Sequence, residues 1–170
     1  MASDDTTALL ERQIPALRRF AWALTRDDEA ADDLVQDCLE RALTRWSLRR
    51  PEVDPRPWLF TILRNLHVDG LRRRRGRGAE VEWSEDTDVA TNDGVDGALE
   101  LRDTLAALDL LPEEQKTLLL LVGVEDLSYQ EAARVLDLPV GTVMSRLARG
   151  RKRLRSILET GRPSFLRRVK

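Results

Sequence analysis

The chain has 170 residues, 42% of them hydrophobic and 34% charged, with a formal net charge of −2, which is typical of a helix-rich protein that folds in water. No apolar run approaches the ~20 residues of a membrane-spanning helix, and the acidic N-terminus has no features of a signal peptide, so we expect a cytoplasmic protein without a membrane span. The single cysteine and single histidine exclude a disulfide framework and a Cys/His metal site, and we expect no cofactor.

Apolar residues at helical spacing predict three helices in the first half of the chain. The first runs from Ala8 to about Leu24, and the second starts after a cap at Asp27 or Asp28. The segment SLRRPEVDPRP contains three prolines and predicts a loop, with Pro57 at the first position of the third helix. The predicted apolar stripes are Ala31, Leu34, Val35, Cys38, Leu39, Ala42, Leu43 and Trp46 in the second helix, and Trp58, Leu59, Ile62, Leu63, Leu66 and Leu71 in the third.

A flexible acidic linker is predicted in the middle of the chain. Residues 79–103 carry one basic side chain against nine acidic ones, whereas 1–78 carry 15 against 13 and 104–170 carry 12 against 8. An acidic middle between two basic ends favours nucleic acid as a partner, despite the negative total. Glycines interrupt the segment and apolar periodicity is absent, which indicates a linker.

Helical periodicity resumes at Ala98, and Pro112 begins a further helix. The predicted fold is therefore all-α, with two small helical domains joined by the linker. The predicted boundaries are 1–76 for the first domain, 77–97 for the linker, 98–160 for the second domain and 161–170 for a basic tail.

The segment LSYQEAARVLDLPVGTVMSRLARGRKRLR, residues 127–155, predicts two helices around a short turn. Ser128 and Glu131 form the spacing of a capping box, residues 137–139 end the helix, and Thr142 is expected to cap the next one. In that second helix Val143, Leu147, Gly150 and Leu154 share one face. The opposite face carries Thr142, Ser145, Ala148, Arg149 and Lys152.

Such a basic outer face suits the major groove of DNA, where arginine pairs with guanine and other cations contact phosphates. We expect Arg149 to recognise a base, and Arg146, Lys152 and Arg153 to contact or flank phosphates. The simpler alternative is an amphipathic helix with a solvated basic face. The capped helix and short turn before it favour DNA binding.

The same segment resembles region 4 of bacterial sigma factors of the extracytoplasmic-function (ECF) group, particularly in LSYQEAA and in VGTV followed by SRL. In the first domain, ADDLVQDCLERAL resembles region 2.2 and PWLFTILRNLHVDGLRRRR resembles regions 2.3 to 2.4. The resemblance covers about residues 10–75 and 100–157, in the order of the family's short form. Met144 departs from it, because many relatives carry a basic residue there, which argues against a cationic contact at that position.

The resemblance implies a protein that is not an enzyme but binds core RNA polymerase and selects and opens promoters. The partners it implies are promoter DNA, the β′ coiled coil and β flap of the polymerase, and an anti-sigma factor. Docking on the β′ coiled coil falls to Asp33, Leu34, Val35 and Gln36. From the residues alone Leu34 and Val35 also fit the core, while Asp33, Gln36, Asp37 and Glu40 face outward.

For the −10 element, the family uses the loop before the third helix and the polar face of that helix. Asn65, His67 and Asp69 are predicted to lie off its apolar stripe, and Asn65 stands where the family holds a captured base. Phosphate contacts are expected from Arg72, Arg73, Arg74 and Arg75, and Trp58 is expected in the core. The acidic linker is either a strand threading through polymerase toward the RNA exit or a plain spacer.

Three other classes of protein are possible. A simple helix-turn-helix repressor would leave the region 2-like half without a role. A sigma-mimicking partner-switch protein that titrates an anti-sigma factor would explain both halves, but it does not need a basic recognition helix. A nucleic-acid enzyme would need a catalytic constellation, whereas the histidine and cysteine are isolated. The prediction is therefore a sigma factor, and IPALRRFAWALT and PWLFTILRN resemble the general-stress subgroup.

Overall fold

The computed structural model describes residues 2–78 and 95–161, and within these ranges the regular structure is helical, which confirms the all-α prediction. The helices are α1 (Ala2–Thr25), α2 (Asp28–Thr44), α3 (Pro55–Gly76), α4 (Val95–Asp109), α5 (Glu113–Leu119), α6 (Tyr129–Leu136) and α7 (Val140–Thr160). A 3₁₀ turn, Trp46–Leu48, follows α2, and a π-helical turn, Leu120–Val124, follows α5. In the described part of the chain, no helix is both long and apolar enough to cross a membrane.

The described residues form two compact units. The first holds α1 to α3, and the second holds α4 to α7 apart from residues 134–137. Most of the predicted linker, residues 79–94, and the predicted basic tail after residue 161 lie outside the described residues. Helix α4 begins at Val95, so the last three residues of the predicted linker are helical.

The core of the first unit is built around an aromatic pair. Phe20 of α1 and Phe60 of α3 are buried and meet edge to face, with ring centroids 5.1 Å apart. Cys38 of α2 is fully buried in the same unit, and its thiol donates a hydrogen bond to the Leu59 carbonyl oxygen at 3.5 Å. Burial raises the pKa of Cys38 to about 12, because a thiolate would lose its hydration. Cys38 is therefore a core residue that stays protonated at neutral pH.

The starts of α2 and α3 follow local capping, and both α1 and α3 begin earlier than predicted, α1 at Ala2 rather than Ala8. Asp27 caps α2, because its Oδ1 accepts a hydrogen bond from the Ala30 N–H at 2.7 Å. Helix α3 begins at Pro55, two residues before the predicted Pro57, and Asp54 caps it by accepting from the Arg56 N–H at 2.9 Å. Both prolines occupy the first turn, where a helix needs no N–H partner. Only Pro51 remains in the preceding loop.

Helix α2 is also shorter than its apolar pattern predicts. It ends at Thr44, so Trp46 lies in the following 3₁₀ turn rather than on the helix. Leu43, predicted in the buried stripe, is more than half exposed. The buried residues of α2 are Ala31, Val35, Cys38 and Ala42, which repeat at three- and four-residue steps along one face.

The second unit depends on close packing between α5 and α7. A Cβ atom at Gly150 would lie 3.4 Å from Gln115 Cβ and 3.5 Å from Leu119 Cδ1, so the absence of a side chain lets the helices approach. Val143, Leu147 and Ile157 continue this buried face of α7.

A charged pair joins α5 to the end of α4. The buried Lys116 Nζ lies 2.7 Å from Asp109 Oδ1, and the side chain of Asp109 is also largely covered. Removing one partner of such a pair would leave a charge without compensation in a poorly hydrated site. The pair therefore fixes the position at which α4 ends against α5.

Candidate nucleic-acid interface

Helices α6 and α7 are joined by a three-residue turn, as the sequence predicts for a helix-turn-helix, and α6 begins with the predicted capping box. The Ser128 hydroxyl oxygen accepts from the Glu131 N–H at 3.1 Å, and the Glu131 carboxylate accepts from the Ser128 N–H at 2.8 Å. The predicted cap at Thr142 is wrong, because α7 begins at Val140 and Thr142 lies in its first turn. There its N–H donates to the Pro139 carbonyl at 3.0 Å.

Asp137 makes the change of direction after α6. Its φ is 52°, in the left-handed region, and the Leu138 N–H donates to the Ala133 carbonyl at 2.9 Å. This is the pattern of a Schellman cap, in which glycine is the usual residue. An aspartate adopts this conformation at a cost, and at the C-terminal end of α6 its charge opposes the helix dipole.

Asp137→Gly is therefore expected to raise the free energy of unfolding by up to ~1 kcal/mol, whereas Asp137→Val should lower it by about 1–2 kcal/mol. Urea unfolding of the full chain, followed by circular dichroism, measures both. Asp137→Asn is the matched control, since it removes the charge and keeps a residue that tolerates positive φ. Equal stability of the glycine and valine variants would contradict this account of the turn.

The outer face of α7 carries the predicted DNA contacts in a row. Ser145, Arg149 and Lys152 are exposed. Arg149 lies along the helix, with Nε 3.4 Å from the Ser145 carbonyl oxygen and Nη2 3.5 Å from its hydroxyl oxygen. These long contacts leave the guanidinium at the surface, where it can exchange them for a ligand.

Arg146 and Arg153 instead contact α5. Arg146 Nη1 forms an ion pair with Glu114 Oε2, and Arg153 Nη1 donates to Gln115 Oε1 at 3.4 Å. Both arginines are half-buried. The sequence contains the partners in PEEQ at the start of α5, but their pairing with α7 spans more than thirty residues and was missed.

The polar face of helix α3 carries Asn65, on the same side of the helix as an aromatic pair. Asn65 is exposed, and its Oδ1 accepts from Arg64 Nη1 at 3.3 Å. Trp58 precedes Asn65 by seven residues, about two turns, so both lie on the same side of the helix. Trp58 is half-buried and packs edge to face on Trp46, with centroids 6.1 Å apart. The other predicted contacts on this helix that are exposed are Asp69, Arg72, Arg73, Arg74 and Arg75.

His67 and Val35 are corrections to the predicted contact surfaces. His67 is only 6% exposed, because it follows Leu63 by four residues and so falls on the buried face of α3. Val35 is 5% exposed and belongs to the core of the first unit. Neither side chain reaches the surface in this structure, whereas Leu34 is half-buried.

Arg49 closes the loop between α2 and α3. Its guanidinium lies 4.3 Å above the Trp46 ring, and its Nη1 donates to the carbonyls of Val53 at 2.7 Å and Arg50 at 3.1 Å. One side chain thus joins both ends of the turn. The adjacent Leu48 is 82% exposed. The sequence predicted a loop here from its prolines, and the closing contacts of Arg49 were missed.

The predicted polymerase-binding side of α2 is exposed and acidic. Asp33, Gln36, Asp37 and Glu40 share the face opposite the core, and Gln36 Nε2 donates to Glu40 Oε1 at 3.0 Å. Asp32, at the side of this face, pairs with Arg18 of α1 at 2.8 Å.

Two family models match the chain, one in each unit. The model described as the Sigma2 domain of PhyR matches residues 10–64, and the model for Sigma-70, region 4, matches residues 101–154. The first range covers most of the α1–α3 unit, and the second ends within α7.

Whole-chain relatives are sigma factors. The ECF RNA polymerase sigma factor EcfG of Rhodopseudomonas palustris is 39% identical over 145 residues, which cover 85% of this chain and 80% of that protein. The sigma factor RpoE of Bartonella quintana, solved in complex with the anti-sigma factor NepR, has 34% identity and a TM-score of 0.79, covering 93% of this chain and 99% of that one. CnrH, solved with the cytosolic domain of CnrY, has 27% identity and a TM-score of 0.70, covering 92% and 88%. The chain therefore belongs to the ECF family of RNA polymerase sigma factors.

Proposed function

We propose that the two helical units of this sigma factor divide promoter recognition between them. A sigma factor is not an enzyme; it directs core RNA polymerase to promoters and starts transcription there. In our proposal the first unit binds the polymerase and the −10 element, and the second unit binds the −35 element. The observation that carries the proposal is the exposed face of α7, where Ser145, Arg149 and Lys152 project from a capped helix-turn-helix.

For the −35 element, Arg149 recognises a base and Lys152 binds a phosphate. Arg149 is exposed, and its two contacts to Ser145 are long enough to be exchanged for the two acceptors of a guanine. Lys152 is exposed one turn from Ala148 on the same outer face. Arg146 and Arg153 hold α7 against α5 and position the face, and phosphate contact is their secondary role.

For the −10 element, Asn65 contacts an unstacked base beside the aromatic pair. An amide offers a donor and an acceptor to the pairing edge of a base, and an indole face supports stacking. Trp46, Trp58 and the exposed Leu48 lie in or next to the loop that Arg49 closes. The exposed arginines at the end of α3 bind the flanking phosphates.

The remaining partners follow from the same division. The acidic face of α2 binds the β′ coiled coil of core polymerase, and the second unit binds the β flap. The structural neighbour RpoE was solved in complex with the anti-sigma factor NepR, which supports an anti-sigma factor for this chain. We further propose that the protein acts in the cytoplasm, on promoters of a stress regulon.

The partner-switch alternative has one observation in its favour. The first unit matches the Sigma2 domain of PhyR, and PhyR is described as an anti-anti-sigma factor in a solved complex with NepR. That neighbour is 18% identical, which shows the fold alone. The relative EcfG covers both units at 39% identity and is a sigma factor, so the mimic is not favoured. A simple repressor would leave the first unit without a role.

Run-off transcription with core RNA polymerase and a promoter library tests the proposal as a whole. We expect transcripts from a subset of promoters that share one −35 and one −10 sequence. A mimic would bind an anti-sigma factor and yield no transcripts, and that result would reject the proposal.

The division of labour on α7 predicts different losses for two neighbouring cations. Arg149→Ala should weaken holoenzyme binding to cognate −35 DNA by about 1–3 kcal/mol and relax preference at one base pair. Lys152→Ala should weaken binding to all sequences alike and reduce the slope of log affinity against log salt by about one. Equal, sequence-independent losses in both variants would reject this assignment.

A further inference from the structure

The outer face of α7 carries an apolar stripe as well as cations. Met144 is 52% exposed and Val140 is 38% exposed, and Ala148 is also at the surface. These three residues are four positions apart, so they form one line along the helix. Met144 is adjacent in sequence to Ser145, and Ala148 to Arg149, so the line runs beside the candidate DNA contacts.

The stripe is not part of the core of the second unit. Val143 and Leu147 occupy the face of α7 that packs on α5, and both are almost fully buried. Met144 lies about 100° around the helix from Val143, on the way to the polar side. The side chain of Met144 is long, unbranched and apolar, and it is half-exposed between the core face and the basic face of α7. It is therefore available to a ligand.

The charges around the stripe indicate which ligand covers it. Arg149 and Lys152 are exposed on the polar side, and Arg151 is exposed about two turns after Met144 on the same line, so a polyanion with hydrogen-bond acceptors is favoured over an apolar protein surface. In the major groove of DNA the C5-methyl group of thymine is the apolar group on the base edges. A methionine thioether and an alanine methyl are suited to contact it.

We propose that Met144, with Ala148 beside it, recognises the C5-methyl group of a thymine in the −35 element. This inference rests on the proposed binding of α7 to that element, and it adds a second specificity determinant to Arg149. Arg149 selects a base through hydrogen bonds, whereas Met144 selects thymine through an apolar contact. Together the two side chains select bases at two positions of the −35 element, whereas Arg149 alone selects a base at one position.

Replacement of thymine by deoxyuridine tests the contact, because it removes one methyl group and keeps base pairing. Each thymine of both −35 strands is replaced in turn, and affinity is measured with holoenzyme reconstituted from core polymerase and the full chain. With the unaltered protein we expect one thymine whose replacement weakens binding about threefold to fivefold, as for the loss of one buried methyl group. With Met144→Ala, replacement of that thymine should weaken holoenzyme binding less than about 1.5-fold, which is on the order of experimental error. Replacement of every other thymine should have an equally small effect.

Two further variants separate this inference from the proposed function. Lys152→Ala should keep the deoxyuridine effect, because it removes a cation and leaves Met144 in place. Arg149→Ala should lose preference at a different base pair. Met144→Ala is expected to fold normally, since the residue is exposed and alanine has the higher helix propensity.

Three outcomes would overturn the inference. If no thymine shows a larger effect with the unaltered protein than with Met144→Ala, while Arg149→Ala still loses its preference, Met144 does not recognise thymine and α7 still binds the element. If the unaltered holoenzyme has no −35 preference at all, the proposed function fails together with the inference. If Met144→Ala weakens binding to core polymerase rather than to DNA, the stripe is covered by protein.

Discussion

Asp33→Arg is expected to raise the dissociation constant for core RNA polymerase by roughly thirtyfold or more, the effect of losing about 2–5 kcal/mol at a charged contact. Asp33 is at the centre of the exposed face of α2, with Gln36, Asp37 and Glu40 around it. An acidic face docks by matching basic groups on its partner, and an arginine there adds repulsion to the lost attraction. The fold should persist, because the side chain is exposed and lies beyond the first turn of α2.

A pull-down with core enzyme, together with a thermal melt by circular dichroism, measures the effect. Glu11→Arg is the matched control, since it makes the same change of charge at an exposed position of α1, in the same unit. Normal core binding by Asp33→Arg would remove this face from the polymerase interface. If binding is lost and the melting transition is lost as well, the substitution has damaged the fold. Core binding by Asp33→Ala then tests whether this face contacts the polymerase, because alanine adds no new charge to α2.

Local sequence patterns predicted those parts of the site that depend on neighbouring residues. The capping box of Ser128 and Glu131 forms as expected, because both partners lie within one turn. The buried face of α7 follows from Val143 and Leu147 at four-residue spacing. These signals are short-range, so one sequence contains all the information that they need.

The sequence-based predictions are wrong where the structure depends on contacts between distant residues or on residues that fit either face of a helix. His67 was predicted to lie off the apolar stripe of the third helix, but it follows Leu63 by four residues and is buried. Arg146 and Glu114 pair across two helices although they are 32 residues apart in sequence, and no local pattern contains this contact. At α3 the two prolines are both compatible with a first turn, and the cap at Asp54 selects the earlier start.

The loop before α3 shows how such a contact changes the interpretation of function. Pro55 and Pro57 belong to the helix, so Pro51 is the one proline that restricts the backbone of residues 49–54. Arg49 adds to the order of this loop through two carbonyl oxygens and the Trp46 ring. The first unit therefore presents a preorganised loop next to Trp58, which reduces the ordering entropy that base capture would otherwise cost.

Asn65→Ala is accordingly expected to slow promoter opening and to weaken −10 preference by about 1–3 kcal/mol, roughly fivefold to 150-fold. A base offers its pairing edge only after it leaves the stack, and extrusion costs a few kcal/mol that a pocket must offset. The Asn65 amide projects from the same side of α3 as Trp58 and is exposed, so it can hydrogen-bond an extruded base near the aromatic pair. Alanine has a higher helix propensity than asparagine, so stability should not fall.

Permanganate footprinting on duplex and pre-melted promoters separates recognition from melting. On duplex DNA we expect Asn65→Ala to give weak reactivity at the −10 thymines, with core binding and −35 preference unchanged. On pre-melted DNA the reactivity should return, because no base pair needs to open, while discrimination among −10 sequences should stay impaired. Asn65→Asp keeps the size of the side chain and removes its N–H donors, so it should behave like the alanine variant if donation to the base is the essential contact. Normal opening of duplex promoters by Asn65→Ala, with unchanged −10 preference, would show that another residue recognises the base.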